Sequence, residues 1–361
     1  MNVSVQKATV FIRSMRFWGT QLVSYPVLYQ MHQLWPNCEI TVVGTDPLHK
    51  HYETLPWVKR FVNAQGFAEQ FKCVTPGTDL MVALHFASER YGAVGILRRP
   101  KYRLGFTNAR LTDFIWTHRH KKDWSEYMGL SNMRLLGELS PFDPETAAKN
   151  CIEALSVAPS ADLPSGLVVM IPGGGAGPYK RWPVESFLAL CDVLKAQLTP
   201  DTRFGFVLGP DESAEAAVIK SLARSDIVIF ENRPLGELCR LMSGARLVVA
   251  NDCGPSHLAQ LACVPYVTVL HEPNPEWFWD RSYTRYVTPR DDSLEISRVQ
   301  VEDVAQACAE VLGGADGRHP PQRSDGSGIS IFEGVSGGLA NTRSHTQITP
   351  TMVDTHSAPR L

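Results

Sequence analysis

Twice in the C-terminal half the chain writes a short apolar run, then a turn rich in glycine, then the start of a helix. The first case is Met170-Ile171-Pro172-Gly173-Gly174-Gly175-Ala176-Gly177-Pro178-Tyr179-Lys180-Arg181-Trp182-Pro183. The second is Val248-Val249-Ala250-Asn251-Asp252-Cys253-Gly254-Pro255-Ser256-His257. Around them, strand-like runs at about 166–171, 203–209, 226–230, 246–250 and 266–270 alternate with helical patterns at 184–198, 213–224, 235–244 and 255–263. That rhythm predicts a parallel sheet with helices on both faces.

The N-terminal half carries the same rhythm less cleanly. Strands are expected at 9–13, 39–44, 79–85 and 102–106, a helix over about Gln21–Leu34, and another, rich in basic and aromatic residues, over about Trp116–Leu136. The 361 residues suffice for two α/β domains, each with its own core. The division is placed at 1–158 and 159–313, in the Pro-containing stretch 156–166. A last helix is expected over Val299–Leu312, and Gly, Ser, Thr, Pro and His dominate 314–361, the composition of a disordered tail.

Composition excludes several classes. A formal net charge of -2 argues against a general nucleic-acid binder. Eight dispersed cysteines without a Cys-x-x-Cys pair read as buried thiols in a reducing compartment, not as a disulfide or zinc framework. No metal site and no cofactor are expected. No apolar run approaches the roughly 20 residues that span a bilayer, and no secretory signal precedes the first strand, so a cytoplasmic protein is expected.

Ligands of open α/β sheets bind at the carboxyl ends of the strands, where helix N-termini offer free N–H groups and partial positive charge. The first turn lets backbone approach a ligand closely, and Lys180 adds a full charge before Pro183, a combination suited to a diphosphate. It reads equally as a tight turn with Lys180 on the surface. In the second turn Gly254 and Pro255 open a helix, His257 falls in its first turn and Asp252 hangs at the strand end. A carboxylate there can accept from sugar hydroxyls. Alternatively, Asn251 and Asp252 merely cap the helix.

Lys-Arg-Trp-Pro at 180–183 and Asn-Asp-Cys-Gly-Pro-Ser-His at 251–257, about 70 residues apart, resemble glycosyltransferase family 9, the ADP-heptose:lipopolysaccharide heptosyltransferases. Trp18-Gly19 with Leu22 and Pro26, Asp79–His85, Arg103-Leu104-Gly105-Phe106, Gly209-Pro210-Asp211-Glu212 and Pro273-Asn274-Pro275 extend the resemblance, in collinear order, over about 8–312. It implies the GT-B architecture: two Rossmann-like doubly wound domains facing a central cleft, acceptor in the N-terminal one and donor in the C-terminal one. It also implies metal-independent transfer with inversion, from ADP-heptose to a sugar hydroxyl of a lipopolysaccharide-core type acceptor. Carried over residue by residue, Lys180 would meet the diphosphate and Glu212 the ribose. Asp252 would meet the heptose, with Gly254 and His257 at the phosphates and Cys253 between them among the donor-binding residues. Where the family has threonines near the diphosphate, this chain has Gly175 and Ala176.

One departure bears on catalysis. The family's Gly-Asp after the first strand, whose aspartate is the proposed general base, reads Gly19-Thr20 here, and a threonine hydroxyl is no proton acceptor at neutral pH. Another base (His85, Asp46 or His118), a different acceptor geometry, or loss of activity would each account for it. The last makes a silent nucleotide-sugar-binding protein the alternative from a different class. Another nucleotide sugar, or a protein or small-molecule acceptor, is the alternative within enzymes.

Two further features stand out. Arg98, Arg99, Lys101, Arg103, Arg110, Arg119, Lys121 and Lys122, with His118 and His120, make a basic stretch. It would suit an anionic glycolipid acceptor and peripheral contact with an inner membrane, or is simply solvated surface. Arg98, Arg99, Lys101, His118 and His120 are the acceptor-binding residues expected. Trp277, Phe278, Trp279, Tyr283 and Tyr286 could stack on sugar or pack in the core.

Overall fold

The computed structural model describes residues 3–12, 17–84, 89–107, 111–156, 164–175, 177–291 and 293–315. His85, Ala176, Arg110, most of the 156–166 linker and nearly all of the tail from 314 onward lie outside the described residues.

The N-terminal half contains six parallel strands: β1 (Lys7–Phe11), β2 (Glu39–Gly44), β3 (Arg60–Asn63), β4 (Leu80–Ala83), β5 (Tyr102–Thr107) and β6 (His118–Lys121). Its helices are α1 (Trp18–Leu22), α2 (Tyr25–Leu34), α3 (Phe67–Cys73), α4 (Glu89–Arg98), α5 (Met128–Gly137) and α6 (Pro144–Leu155). The second half repeats the plan with β7 (Val168–Ile171), β8 (Phe204–Leu208), β9 (Ile227–Glu231), β10 (Leu247–Asn251), β11 (Tyr266–Val269) and β12 (Thr284–Val287), again all parallel. With them come α7 (Val184–Gln197), α8 (Ser213–Ser221), α9 (Leu235–Ser243), α10 (Gly254–Leu261) and α11 (Val301–Ala315).

Sheet order is β3-β2-β1-β4-β5-β6 in the first half and β12-β11-β10-β7-β8-β9 in the second. Counted within each half, both are the Rossmann order 3-2-1-4-5-6, whose direction reverses between the first and fourth strands. The expectation of two doubly wound α/β halves is therefore met. Period-two alternation explains how each strand serves two layers. Val169, Ile171, Val248 and Ala250 enter one core, and Val168, Met170, Leu247 and Val249 enter the core on the other face. The first of these cores is continuous with Val10 and Val82 of the N-terminal sheet. Helix α6 packs against both α2 and α9 and so ties the halves together.

Two expected helices are corrected. The stretch Trp116–Leu136 is not one helix: His118–Lys121 forms the edge strand β6, and the helix begins only at Met128. His118 and His120 are half-buried while Arg119 and Lys121 are exposed, a period-two pattern, and charged residues suit a sheet edge. The helix expected over Gln21–Leu34 is two helices, because Pro26 stands at the start of the second and lacks the N–H that continuation requires.

Candidate active site at the switch point of the C-terminal sheet

The strand order of the second sheet reverses between β7 and β10, and the two glycine turns are the segments that leave those neighbouring strands. Both therefore open into the crevice where ligands of such sheets bind. The corresponding place in the first sheet lies after β1 and β4. Trp18-Gly19-Thr20 follows β1, and the sequence after β4 is where His85 stands.

The turn after β7 needs glycine at Gly177, whose φ of 135° is a region L side chains rarely adopt. Trp182 then anchors the chain: its ring is buried and its indole N–H donates to the Val299 carbonyl at 3.0 Å. Asn251 is a latch and not a helix cap. It is wholly buried, donates to the Pro172 carbonyl at 2.8 Å and accepts from the Trp182 backbone N–H at 3.2 Å. One side chain thus satisfies buried polar groups of the other glycine turn and fixes the spacing of the two.

Charges line this frame. The Lys180 ammonium lies 2.5 Å from Asp252 Oδ2, the first turn reaching across to the second. Glu212 accepts from the Gly209 N–H at 2.8 Å and faces Arg181 at 3.4 Å, and Arg181 also pairs with Glu215 at 3.2 Å. Cys253 precedes α10, whose first residues Gly254 and Pro255 face the cleft. Its thiol is pushed up to about 12 by burial, so it stays protonated and is no nucleophile at neutral pH.

His257 is buried and its pKa is pushed down to about 4, by burial first, with Asp252 raising it and Lys180 lowering it. It is therefore uncharged at neutral pH. Its Nδ1 lies 3.3 Å from the Tyr127 hydroxyl and 3.2 Å from Gln260 Nε2. Its Nε2 is 3.9 Å from Asp252 Oδ1. Two glycines let the halves meet at this spot. A Cβ on Gly19 would fall 2.7 Å from His257 Cδ2, and one on Gly254 2.8 Å from Trp18 Cε3.

The resulting cleft encloses about 670 Å³. Phe17, Trp18, Gly19 and Thr20 form its N-terminal wall. Gly173, Gly175, Lys180, Glu212, Asp252, Cys253, Gly254 and His257 belong to the opposite one, with Val207, Leu208, Asn232 and Leu238 at one end. The expected donor residues that lie among the described residues thus converge. Gly175 is open: a Cβ there would meet nothing within 4 Å. Thr20 donates its hydroxyl to the Phe17 carbonyl at 2.6 Å.

The expected acceptor residues do not line this cleft. Arg98 stacks on the Phe71 ring at 3.7 Å and donates to the Phe71 carbonyl, and His120 pairs with Glu138 at 3.0 Å. Lys101 lies over the Tyr102 ring at 4.9 Å, His118 bonds the Thr117 hydroxyl at 3.1 Å, and Arg99 has a φ of 55° at the end of α4. Arg103 is structural, donating to the Ile115 and Pro100 carbonyls. Lys122 is no surface cation: its ammonium is buried 3.8 Å from Glu276 of the other half. Asp46 and His118, two of the substitute bases considered, stand away from the cleft lining. In the aromatic segment, Trp277 reaches the cleft while Trp279 is buried against Tyr127. Sequence reasoning missed Tyr127, whose partner His257 is 130 positions away, and Gln260, which Trp277 and Trp279 orient from beyond its helix.

Two Rossmann-ordered halves with a cleft between them, lined at the carboxyl ends of the strands, make up the GT-B fold. A sequence profile described as glycosyltransferase family 9 (heptosyltransferase) matches residues 98–303. The chain belongs to that family and is a glycosyltransferase. Among solved structures, Escherichia coli heptosyltransferase WaaC with ADP-2-deoxy-2-fluoro heptose is similar, with a TM-score of 0.60 and 17% identity over 84% of this chain and 99% of that one. A glycosyl transferase family 9 protein from Veillonella parvula gives 0.59 and 16% over 86% and 98%. Escherichia coli ADP-heptose lps heptosyltransferase II gives 0.56 and 14% over 86% and 100%. No curated protein sequence matches the chain. Among the described residues no helix is long and apolar enough to cross a membrane.

Proposed function

We propose that the chain transfers a heptose from ADP-heptose, with inversion and without a metal, to a sugar hydroxyl of an anionic, lipopolysaccharide-core type acceptor. The observation that carries this reading is the Lys180–Asp252 bridge across the two turns of the switch point. A cation next to a sugar-binding carboxylate is what a sugar diphosphate needs at the bond that breaks. The acceptor hydroxyl would attack the anomeric carbon from the side of Trp18-Gly19-Thr20, opposite the diphosphate, and invert it. Charge building on the departing diphosphate would be met by Lys180 and by the N-terminus of α10. Glu212, already fixed by Gly209 and Arg181, would accept from the ribose hydroxyls. The apolar end formed by Val207, Leu208 and Leu238 would take the base.

In this reading residues 159–313 are the donor domain and 1–158 the acceptor domain. The basic N-terminal edge, Arg119 and Lys121 included, would face the anionic acceptor at the cytoplasmic surface of an inner membrane. Incubation with a panel of nucleotide sugars and acceptors, read as nucleoside diphosphate release, tests it. Release from ADP-heptose only with a lipid A–Kdo type acceptor is the expected result. Faster release from a different nucleotide sugar would overturn the donor.

A second reading rests on Thr20. With no carboxylate at that position, the chain would bind a nucleotide sugar and transfer it slowly or not at all. Tight ADP-heptose binding without release in any acceptor mixture would favour it.

A further inference from the structure

A histidine ring in a binding cleft does opposite things according to which nitrogen holds the proton, and around His257 the surrounding hydrogen bonds decide it. The chain of constraints starts two elements away. The Trp279 backbone N–H meets Gln260 Oε1 at 2.7 Å, and the Trp277 backbone carbonyl meets Gln260 Nε2 at 3.1 Å. A backbone N–H can only donate and a backbone carbonyl can only accept, so the orientation of the Gln260 amide is forced. Its remaining N–H then faces His257 Nδ1 at 3.2 Å. Protonated Nδ1 would set two donors against each other in a buried place, at the cost of an unmade hydrogen bond. Nδ1 must therefore present its lone pair, which the Tyr127 hydroxyl at 3.3 Å can also use. The ring proton is left on Nε2.

Nε2 is the ring nitrogen beside Gly19 and Asp252, both of which line the cleft. It stands where a Cβ on Gly19 would come within 2.9 Å, and 3.9 Å from Asp252 Oδ1, too far for a direct hydrogen bond. The charged and titratable groups that face the ring are Asp252 and Lys180 from the two turns and Tyr127 from the N-terminal half. We propose that Gln260 is a positioning residue that holds His257 as the Nε2–H tautomer, an uncharged hydrogen-bond donor to a phosphate oxygen of the bound nucleotide sugar. The last clause rests on the donor reading above. One consequence concerns the missing carboxylate: a ring with its lone pair turned to Gln260 and its proton turned to the cleft does not take the acceptor's proton. His257 is no substitute for the base that Thr20 lacks. The group contributes instead on the leaving side, adding a hydrogen bond but no charge beside Lys180.

The test is a long-range proton–nitrogen correlation spectrum of the full chain labelled with nitrogen-15 in histidine, with His257→Gln identifying the signal. At neutral pH His257 is expected to show an unprotonated Nδ1 and a protonated Nε2. A protonated Nδ1, in the other tautomer or in an imidazolium, overturns the proposal without recourse to any variant. In Gln260→Glu, at a pH where the new carboxyl is ionised, the neighbour can only accept, and Nδ1 is expected to gain a proton. An unchanged nitrogen pattern in that variant would make Gln260 merely a packing residue. Addition of ADP is expected to shift the Nε2–H proton. ADP binding seen by calorimetry with that proton unmoved would remove His257 from the phosphates, whereas no ADP binding at all would sink the nucleotide reading and leave the tautomer to the unliganded spectrum.

Discussion

Lys180 Nζ and Asp252 Oδ2, 72 positions apart in sequence, stand 2.5 Å apart where the strand order of the C-terminal sheet reverses. There the cation is paired with the carboxylate. In the donor reading proposed above, a bare nucleoside diphosphate would have to share Lys180 with Asp252, whereas a sugar whose hydroxyls engage Asp252 would leave the ammonium to the phosphates.

Lys180→Ala is therefore expected to weaken ADP binding by about 1.5–3 kcal/mol, the range for a hydrogen bond to a charged group. Asp252→Asn is expected to strengthen ADP binding while weakening that of the nucleotide sugar. Calorimetry with both ligands checks the pair, and an unchanged ADP affinity in Lys180→Ala would take that residue out of the site.

Gly175 offers the opposite kind of test, a gain. A side chain there meets nothing within 4 Å, and its backbone φ is not positive. Gly175→Thr is expected to fold normally and, if the diphosphate lies at this turn as proposed, to tighten ADP binding, since the hydroxyl adds a donor there. Weaker binding, measured in the same titration, would place the phosphates away from this turn.

Asn251→Ala is expected to destabilise the fold by about 1–3 kcal/mol, because the buried Pro172 carbonyl and Trp182 N–H lose their partner together. Thermal or denaturant unfolding reads it. A larger loss of ADP affinity than of stability is not expected, because Asn251 holds the turns and does not itself face the cleft.

How much of this was legible in the sequence follows from where each residue's partners lie. Val168–Ile171 and Leu247–Asn251 are strands buried on both faces, and such strands read as continuous apolar runs. The glycine turns, Lys180, Asp252 and His257 follow from that frame by position. β3 and β6 did not announce themselves, because edge strands with charged residues lack the apolar signal. Gln260 and Asn251 look like ordinary helix and cap residues. Their roles depend on Trp277, Trp279, Pro172 and Trp182, which only folding brings near. The charges of the 98–122 stretch were visible, but not that Arg98 would stack on Phe71 or Lys122 become buried against Glu276.

The buried His257 predicts a pH dependence of stability. Its folded pKa lies below that of a free histidine, so between the two values the unfolded chain binds more protons and stability rises with pH. The contribution is complete above about pH 6.5 and is lost as pH falls toward about 4, by up to about 3 kcal/mol at 1.36 kcal/mol per pH unit. Asp226, held well below the usual carboxylate range by Arg224, loses its contribution only at still lower pH. His257→Gln is expected to flatten the pH 4–6.5 limb in unfolding titrations; an unchanged limb would assign it to other groups.

Thr20 is the departure from the family pattern that bears on catalysis, and the geometry allows a direct restoration. The residue lines the cleft on α1 and donates its hydroxyl to the Phe17 carbonyl. An aspartate there would give up that bond but would sit in the first turn of a helix, where negative charge is favoured. General-base assistance is worth about 10²- to 10⁴-fold. If the carboxylate is missing and unreplaced, Thr20→Asp is expected to raise transfer to a lipid A–Kdo type acceptor by an amount in that range, with ADP affinity unchanged because Lys180 and Asp252 are untouched. Single-turnover transfer beside ADP calorimetry separates the two effects. A native enzyme that is already fast, and that Thr20→Asp slows, would show that the proton leaves by another route. His85, which follows β4 in sequence, is then the first residue to substitute.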